Sequence, residues 1–250
     1  LMGLEERKRP FEPLIPDVSF IEFNNFDDLL KIDNNTSCVI LETIQGSAGF
    51  IVPKYDYLHH VKKRCKEVGA LLILDEIQTG IGRTGKLFGF ENYNCIPDII
   101  VYGKGLGGGV PIGAFTSSKD KMDVLHINPI LGHITTFGGN PLISAAALAT
   151  LKIILNTKIM KNAVSNEKYI RSKLVHKKIK EIRGVGLMLC LIMKDEEITN
   201  KLVLKAKNNG LILFWLLIEK KAVRITPPLT ITKKDLKIGC EIILQILDKI

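Results

Sequence analysis

The sequence predicts an α/β protein: a mostly parallel sheet with helices laid against it, followed by a smaller C-terminal α/β unit. Short apolar runs of strand length alternate with helical stretches through residues 36–155, the texture of parallel strands buried on both faces. Ten of the 21 glycines fall between Gly80 and Gly113, in loops that follow two of those runs. A chain of 250 residues, 46% hydrophobic and 24% charged, is long enough to bury a sizeable core without staples.

Residues 1–35 open with a basic run and continue as Pro-punctuated extended sequence, and are read as a connecting segment of a truncated large domain. Regular patterning starts at Thr36. Apolar runs at 38–41 and 70–74 flank a helical stretch at 55–68, a third run at 99–102 follows Pro97, and a fourth short strand is expected at 112–116. An Ala-rich stretch at 141–155, opened by Pro141, reads as a helix. These elements make residues 36–165 a partial large domain. Residues 166–250 read as a small domain: a β run at 186–193, a helix near 200–208 closed by Gly210, a second β run at 211–218 and a final helix from Lys233.

Composition narrows the function. The longest apolar run, 211–218, has eight residues, against the roughly 20 needed to cross a bilayer, so no membrane role is expected. No charged-then-apolar leader opens the chain, and its five cysteines include no CxxC pair, which predicts free thiols and a cytoplasmic protein. The net charge of +9 comes from 35 basic residues, of which seven are arginine and the rest lysines scattered among Ile and Asn. Dispersed lysine without a recognition motif or stacking aromatics does not predict nucleic-acid binding. His133 and the pair His59 and His60 lack metal-ligand spacing, so no metal is assigned and His133 is read as a loop hydrogen-bonder.

Glycines beyond strand ends mark where a ligand approaches backbone in an open α/β sheet. Asp75 ends the run Leu71-Leu72-Ile73-Leu74, a carboxylate at the tip of a buried strand. Taken alone it reads equally well as a helix cap. Residues 80–86 fit the pattern GxxxxGK downstream of a Walker-B-like strand, which raises nucleotide and magnesium binding as a rival function. Leu87 stands where that motif needs a hydroxyl, and the loop follows the strand it should precede, so the rival is set aside. Lys104 sits amid five glycines at the end of the third run, free of neighbouring bulk. A desolvated lysine amine attacks aldehydes, although an isolated lysine there would be an ordinary loop residue.

Asp75 and Lys104 lie 29 residues apart in LDEIQTGIGRTGKLFGFENYNCIPDIIVYGKGLGGGVPIGA, residues 74–114. This string resembles the core of class III aminotransferases that use pyridoxal phosphate, in particular the acetylornithine/ornithine branch. The resemblance continues through GHITTFGGNP (132–141), IRGVGLM (182–188) and VRITPPL (223–229) and so covers the chain from about Cys38 onward. It implies the fold type I architecture of PLP-dependent transferases and pyridoxal 5'-phosphate as cofactor. The activity implied is transfer of the terminal amine of N-acetylornithine, or of a close ω-amino acid such as ornithine, acetyl-lysine or 4-aminobutyrate, onto 2-oxoglutarate.

The resemblance also assigns residues. Lys104 matches the lysine that condenses with the cofactor aldehyde and then shuttles a proton. Asp75 matches the carboxylate that keeps the pyridine nitrogen protonated. Gln78 matches the contact to the ring and its 3′ oxygen. Thr136 matches the threonine lent to the phosphate of a neighbouring subunit, which implies a homodimer, and Thr135 a position near the substrate. Arg224 matches the arginine that receives the carboxylate of glutamate or 2-oxoglutarate, a task suited to its fork geometry.

Two departures matter. Where the family reads Glu-Pro-x-Gln-Gly-Glu, this chain has Glu42-Thr43-Ile44-Gln45-Gly46-Ser47, so the glutamate that normally masks the C-terminal arginine is replaced by Ser47. Weaker discrimination between ω-amine donors and α-amino acids is the expected consequence. The family's upstream part, with its phosphate loop, ring-stacking aromatic and donor arginine, has no counterpart in residues 1–35. The chain therefore resembles the last three-fifths of a family member, as expected of a fragment, a split gene product or a decayed relative, and is not expected to be a complete catalyst alone.

Overall fold

The computed structural model describes residues 3–127 and 129–250 and contains two four-stranded sheets. The first places β1 (Cys38–Glu42), β2 (Leu71–Asp75), β3 (Ile99–Gly103) and β4 (Gly113–Ser117) side by side in that order. β1, β2 and β3 are parallel; β4 closes the edge antiparallel to β3. The expected mostly parallel sheet is therefore present.

Helix α2 (Tyr57–Val68) covers one face, after the short α1 (Glu5–Lys8). Tyr57, Leu58, Val61 and Cys65 form its buried stripe, packed on Val39, Leu72 and Leu74, and left-handed Gly69 ends the helix at φ +80°. Since side chains alternate along a strand, Leu72 and Leu74 face α2 while Asp75 faces the opposite side. Beyond the short α3 (Lys119–Asp123), helix α4 (Pro141–Asn156) starts where the Asn140 side chain accepts from the amides of Leu142 and Ile143. Its Ala147 and Ile154 pack on Ile81 and Leu106, over the turn that follows β3.

The second sheet is antiparallel throughout, in the order β5 (Ile179–Val185), β6 (Met188–Met193), β8 (Ala222–Ile225), β7 (Phe214–Trp215). All six residues of β6 are buried. Leu189, Leu191 and Met193 face α5 (Ile159–Lys173), α6 (Glu196–Asn208) and α7 (Lys233–Lys249), while Met188, Cys190 and Ile192 meet Ile44 and Phe50 from the loop after β1.

Two local expectations are corrected, and two elements lack a sequence signal strong enough to predict them. The 186–193 run begins as a strand only at Met188, because Gly186 makes the turn at φ +62°. The apolar run 211–218 contributes only Phe214–Trp215 as strand, and most of its large side chains are exposed. β5 went unrecognised because its mixed KEIR texture suits a half-exposed edge strand. Helix α5 carries too thin an apolar stripe to stand out in sequence, its buried residues being Ala163, Asn166 and Ile170. Among the described residues no single helix is long and apolar enough to cross a membrane.

Candidate active site

Three parallel strands finish at one edge of the first sheet, and the residues that finish them carry the chemistry. Glu42 pairs in register with Asp75, and Asp75 with Val101, two residues before Gly103. Lys104 then opens a single 3-10 turn, Lys104–Gly107, with its side chain exposed and its backbone in the left-handed region at φ +42°. Gly103 is required by close approach, since a Cβ there would lie 2.6 Å from the Ile112 carbonyl oxygen.

Asp75 is half-buried. Its Oδ1 accepts the Ile77 amide at 2.8 Å, and among the described residues Oδ2 has no hydrogen-bond donor. Gln78 lies beside Gly46: a Cβ on Gly46 would stand 2.5 Å from Gln78 Oε1 and 3.0 Å from Glu42 Oε2. Glu42 itself accepts the Gly46 amide at 3.0 Å. Burial is the chief cause raising the Glu42 carboxyl above its ordinary range; the Gly46 N–H pulls it down, nearby Asp75 pushes it up and Lys104 opposes. Glu42, Asp75, Gln78 and Lys104 thus form one group. The sequence reading missed Glu42, although its signal was present as a carboxylate ending the strand beside Asp75.

Glu76, next to Asp75, is fully buried and holds the site's frame. Its Oε1 accepts Thr43 Oγ1 at 2.6 Å and the Phe90 amide at 2.8 Å; its Oε2 accepts Thr79 Oγ1 at 2.5 Å and the Gly89 amide at 2.7 Å. Residues 80–86 are packed rather than open. A Cβ on Gly85 would stand 2.5 Å from Val164 Cγ2, and one on Gly82 would stand 3.3 Å from Leu229 Cδ1, so these glycines admit side chains of the adjoining helix and segment. The GxxxxGK pattern is here a packing loop.

The remaining predicted residues lie apart from that group. Thr135 and Thr136 sit in an exposed turn between Ile134 and Phe137, which are 64% and 76% exposed, and among the described residues neither hydrogen-bonds to Asp75, Gln78 or Lys104. His133 bonds the Leu125 carbonyl at 2.9 Å through Nδ1, as a loop residue. Arg224 lies on β8 opposite Cys190, and its Nε is buried without a hydrogen-bond partner. The loop holding Ser47 crosses the same sheet face: Cys190 Sγ meets the Gly49 carbonyl at 3.3 Å, and the Ser47 carbonyl accepts the Ile218 amide at 3.1 Å. A second guanidinium, that of Arg83, is close by. Burial chiefly, and then Arg224, hold its pKa below the ordinary value.

Comparison with known proteins places the chain in a family. The class-III aminotransferase family matches residues 6–247. A putrescine aminotransferase of Pectobacterium atrosepticum is 41% identical over 242 residues, 91% of this chain and 52% of its own length. An acetylornithine aminotransferase of Caldanaerobacter subterraneus subsp. tengcongensis is 38% identical, over 99% of this chain and 63% of its own. Among solved structures, an ornithine aminotransferase from Toxoplasma gondii, described with partial occupancy of PLP at its active site, superposes with a TM-score of 0.90 at 33% identity, over 99% of this chain and 59% of that one. An acetylornithine aminotransferase from Elizabethkingia anophelis gives 0.85 at 32% identity, over 96% and 62%. The chain thus spans between 52% and 63% of the curated relatives it matches. With the family match spanning almost the whole chain, it belongs to the class-III aminotransferases, a family that works with pyridoxal phosphate.

Proposed function

We propose that this chain carries the catalytic-lysine part of an aminotransferase of the acetylornithine/ornithine branch. Its reaction moves the terminal amine of N-acetylornithine, or of a close ω-amino acid, onto 2-oxoglutarate, a step of arginine biosynthesis. The observation that carries this reading is the gathering of Asp75, Gln78 and Lys104 around Glu42 at the ends of adjacent parallel strands, with Asp75 Oδ2 left without a donor among the described residues. An exposed amine, an open carboxylate oxygen and an amide fit the aldehyde, ring nitrogen and ring oxygen of pyridoxal phosphate.

When bound, the cofactor supplies an aldehyde for the amine and a ring that accepts electrons. Asp75 would hold a proton on the pyridine nitrogen, and Gln78 would hydrogen-bond the ring oxygen. Lys104 Nζ would anchor the cofactor and, once freed by the donor amine, would carry a proton from the carbon bearing that amine to the cofactor carbon the lysine had held. Thr136 and Thr135, exposed on their turn, would serve the phosphate and substrate of a neighbouring protomer in a homodimer. Arg224 would receive the acid substrate. In this reading residues 36–165 form the cofactor-binding unit, 166–250 the smaller unit and 1–35 a connection to the large one, and five free thiols suit the cytoplasm.

Reduction with borohydride in the presence of pyridoxal phosphate, followed by peptide mapping, is expected to place a pyridoxyl group on Lys104 and nowhere else. Absence of label from Lys104 contradicts the reading. A panel of N-acetylornithine, ornithine, 4-aminobutyrate and putrescine with 2-oxoglutarate then ranks the donors. Putrescine belongs there because a relative 41% identical bears that name.

A further inference from the structure

We propose that Arg83 is a positioning residue for Arg224, so that the packed loop 80–86 serves to set the acid receptor across the gap between the two sheets. This rests on the reading of Arg224 given above. Arg83 Nη1 donates to the Leu187 carbonyl at 3.1 Å and to the Pro227 carbonyl at 2.7 Å, while the Arg83 carbonyl accepts the Leu187 amide at 2.9 Å. Leu187 immediately precedes β6, and Pro227 lies three residues past Arg224, so one side chain ties the first sheet's loop to both strands beside the receptor. The approach is so close that a Cβ on Gly186 would meet the Arg83 carbonyl at 2.6 Å. The loop has little freedom there.

Charge points the same way. Arg64, Arg171 and Arg183 each pair with a glutamate, whereas among the described residues Arg83 and Arg224 pair with no carboxylate. Arg224 Nε is the one buried side-chain polar atom without a partner among the described residues. Two guanidinium groups near enough for one to perturb the other, neither facing a carboxylate among the described residues, are unfavourable until an anion arrives. Arg83 spends its Nη1 on two carbonyls, which fixes the frame and leaves the fork of Arg224 for a planar carboxylate.

The test titrates 2-oxoglutarate by calorimetry into the full chain loaded with pyridoxal phosphate, comparing the unmodified protein with Arg83→Lys, Arg224→Lys and the double variant. Lysine keeps the charge and loses the clamp. Arg83→Lys is expected to weaken 2-oxoglutarate binding about tenfold, with cofactor affinity and urea midpoint unchanged. The double variant is expected to bind no more weakly than Arg224→Lys alone. Unchanged affinity in Arg83→Lys, losses that add in the double variant, or equal loss of cofactor and acid each overturn the proposal. A measurement on the unmodified chain covers the case of a variant that fails to fold: exchange of the Leu187 amide should slow on adding 2-oxoglutarate, and an unchanged rate counts against the clamp. An unmodified chain on which borohydride leaves Lys104 unlabelled overturns the aminotransferase reading itself, whereas one labelled there that binds no 2-oxoglutarate overturns this inference alone.

Discussion

Replacing Glu76 by glutamine exposes how the site is held. All four partners of this carboxylate donate: two hydroxyls, Thr43 and Thr79, and two backbone amides, Gly89 and Phe90. Each oxygen serves one hydroxyl and one amide. Whichever oxygen becomes the NH2 group of glutamine, one hydroxyl can rotate and accept, but the facing backbone N–H cannot. That leaves a buried amide unsatisfied, at about 1–3 kcal/mol, and the two bonds that survive lose charge assistance worth roughly 1 kcal/mol each. Against this stands the burial of Glu76, which raises its carboxyl pKa and makes the charged form costly, so a neutral amide recovers part of the loss. The net expectation is a destabilisation of ~2–3 kcal/mol, read as a lower urea midpoint at an unchanged slope. The damage should concentrate where the partners are, as faster amide exchange at Gly89 and Phe90. A Glu76→Gln chain within about 0.5 kcal/mol of the unmodified one would refute the claim that four donors require a carboxylate here.

Glu42, raised above 4.5 mainly by burial, binds its proton more tightly folded than unfolded, so its contribution to stability is complete below that value and is lost as pH rises through the folded pKa. The stability of the unmodified chain minus that of Glu42→Gln should therefore fall as pH rises past the ordinary carboxylate range; a flat or rising difference contradicts the burial argument. Lys104→Gly removes a side chain from φ +42°, where relief of ~1 kcal/mol roughly offsets the entropy of glycine, so the urea midpoint should hold while borohydride labelling disappears. A loss above about 1 kcal/mol means the left-handed backbone is not strained. Ser47→Glu restores a carboxylate in the loop that crosses the Arg224 sheet face, and is expected to shift preference from α-amino acids toward ω-amine donors. An unchanged donor ratio in competition assays counts against Ser47 as the cause of relaxed discrimination.

Much of the first sheet was legible because its strands are short apolar runs bounded by Gly, Pro and Asp, so pattern and structure coincide from Cys38 to Ser117 even though Ile40 and Phe115 are exposed. Asp75 and Lys104 were legible for the same reason: strand ends are where polar side chains interrupt apolar runs. The second sheet was harder. β5 breaks its apolar residues with Lys180, Glu181 and Arg183 in no regular alternation, and the strongest apolar run, 211–218, is mostly not strand, because pairing with β8 covers only Phe214 and Trp215. Glu42 and Arg83 escaped notice because register and cross-sheet hydrogen bonds give them their roles. Local sequence carries neither.

The loops over the strand ends store strain that the frame must hold. Phe50, Ile81 and Lys104 all occupy the left-handed region, at φ +48°, +55° and +42°, and Ile81 is β-branched, which makes its conformation the most costly. Ile81 also packs where a Cβ on Gly105 would lie 3.5 Å from its own Cβ, so the strained residue after β2 backs the turn that presents Lys104. At roughly 1–3 kcal/mol apiece such residues persist only where neighbours over-determine them. The neighbours here are specific: Glu76 binds the 79–90 loop through three of its four bonds, its carbonyl accepts the Gly80 amide at 2.9 Å, and Arg83 clamps the far end of the same loop to the second sheet. Rigidity at Glu76 and strain at Lys104 are therefore one arrangement. A change that loosens the buried carboxylate should be felt first at the lysine, before it is felt in the core.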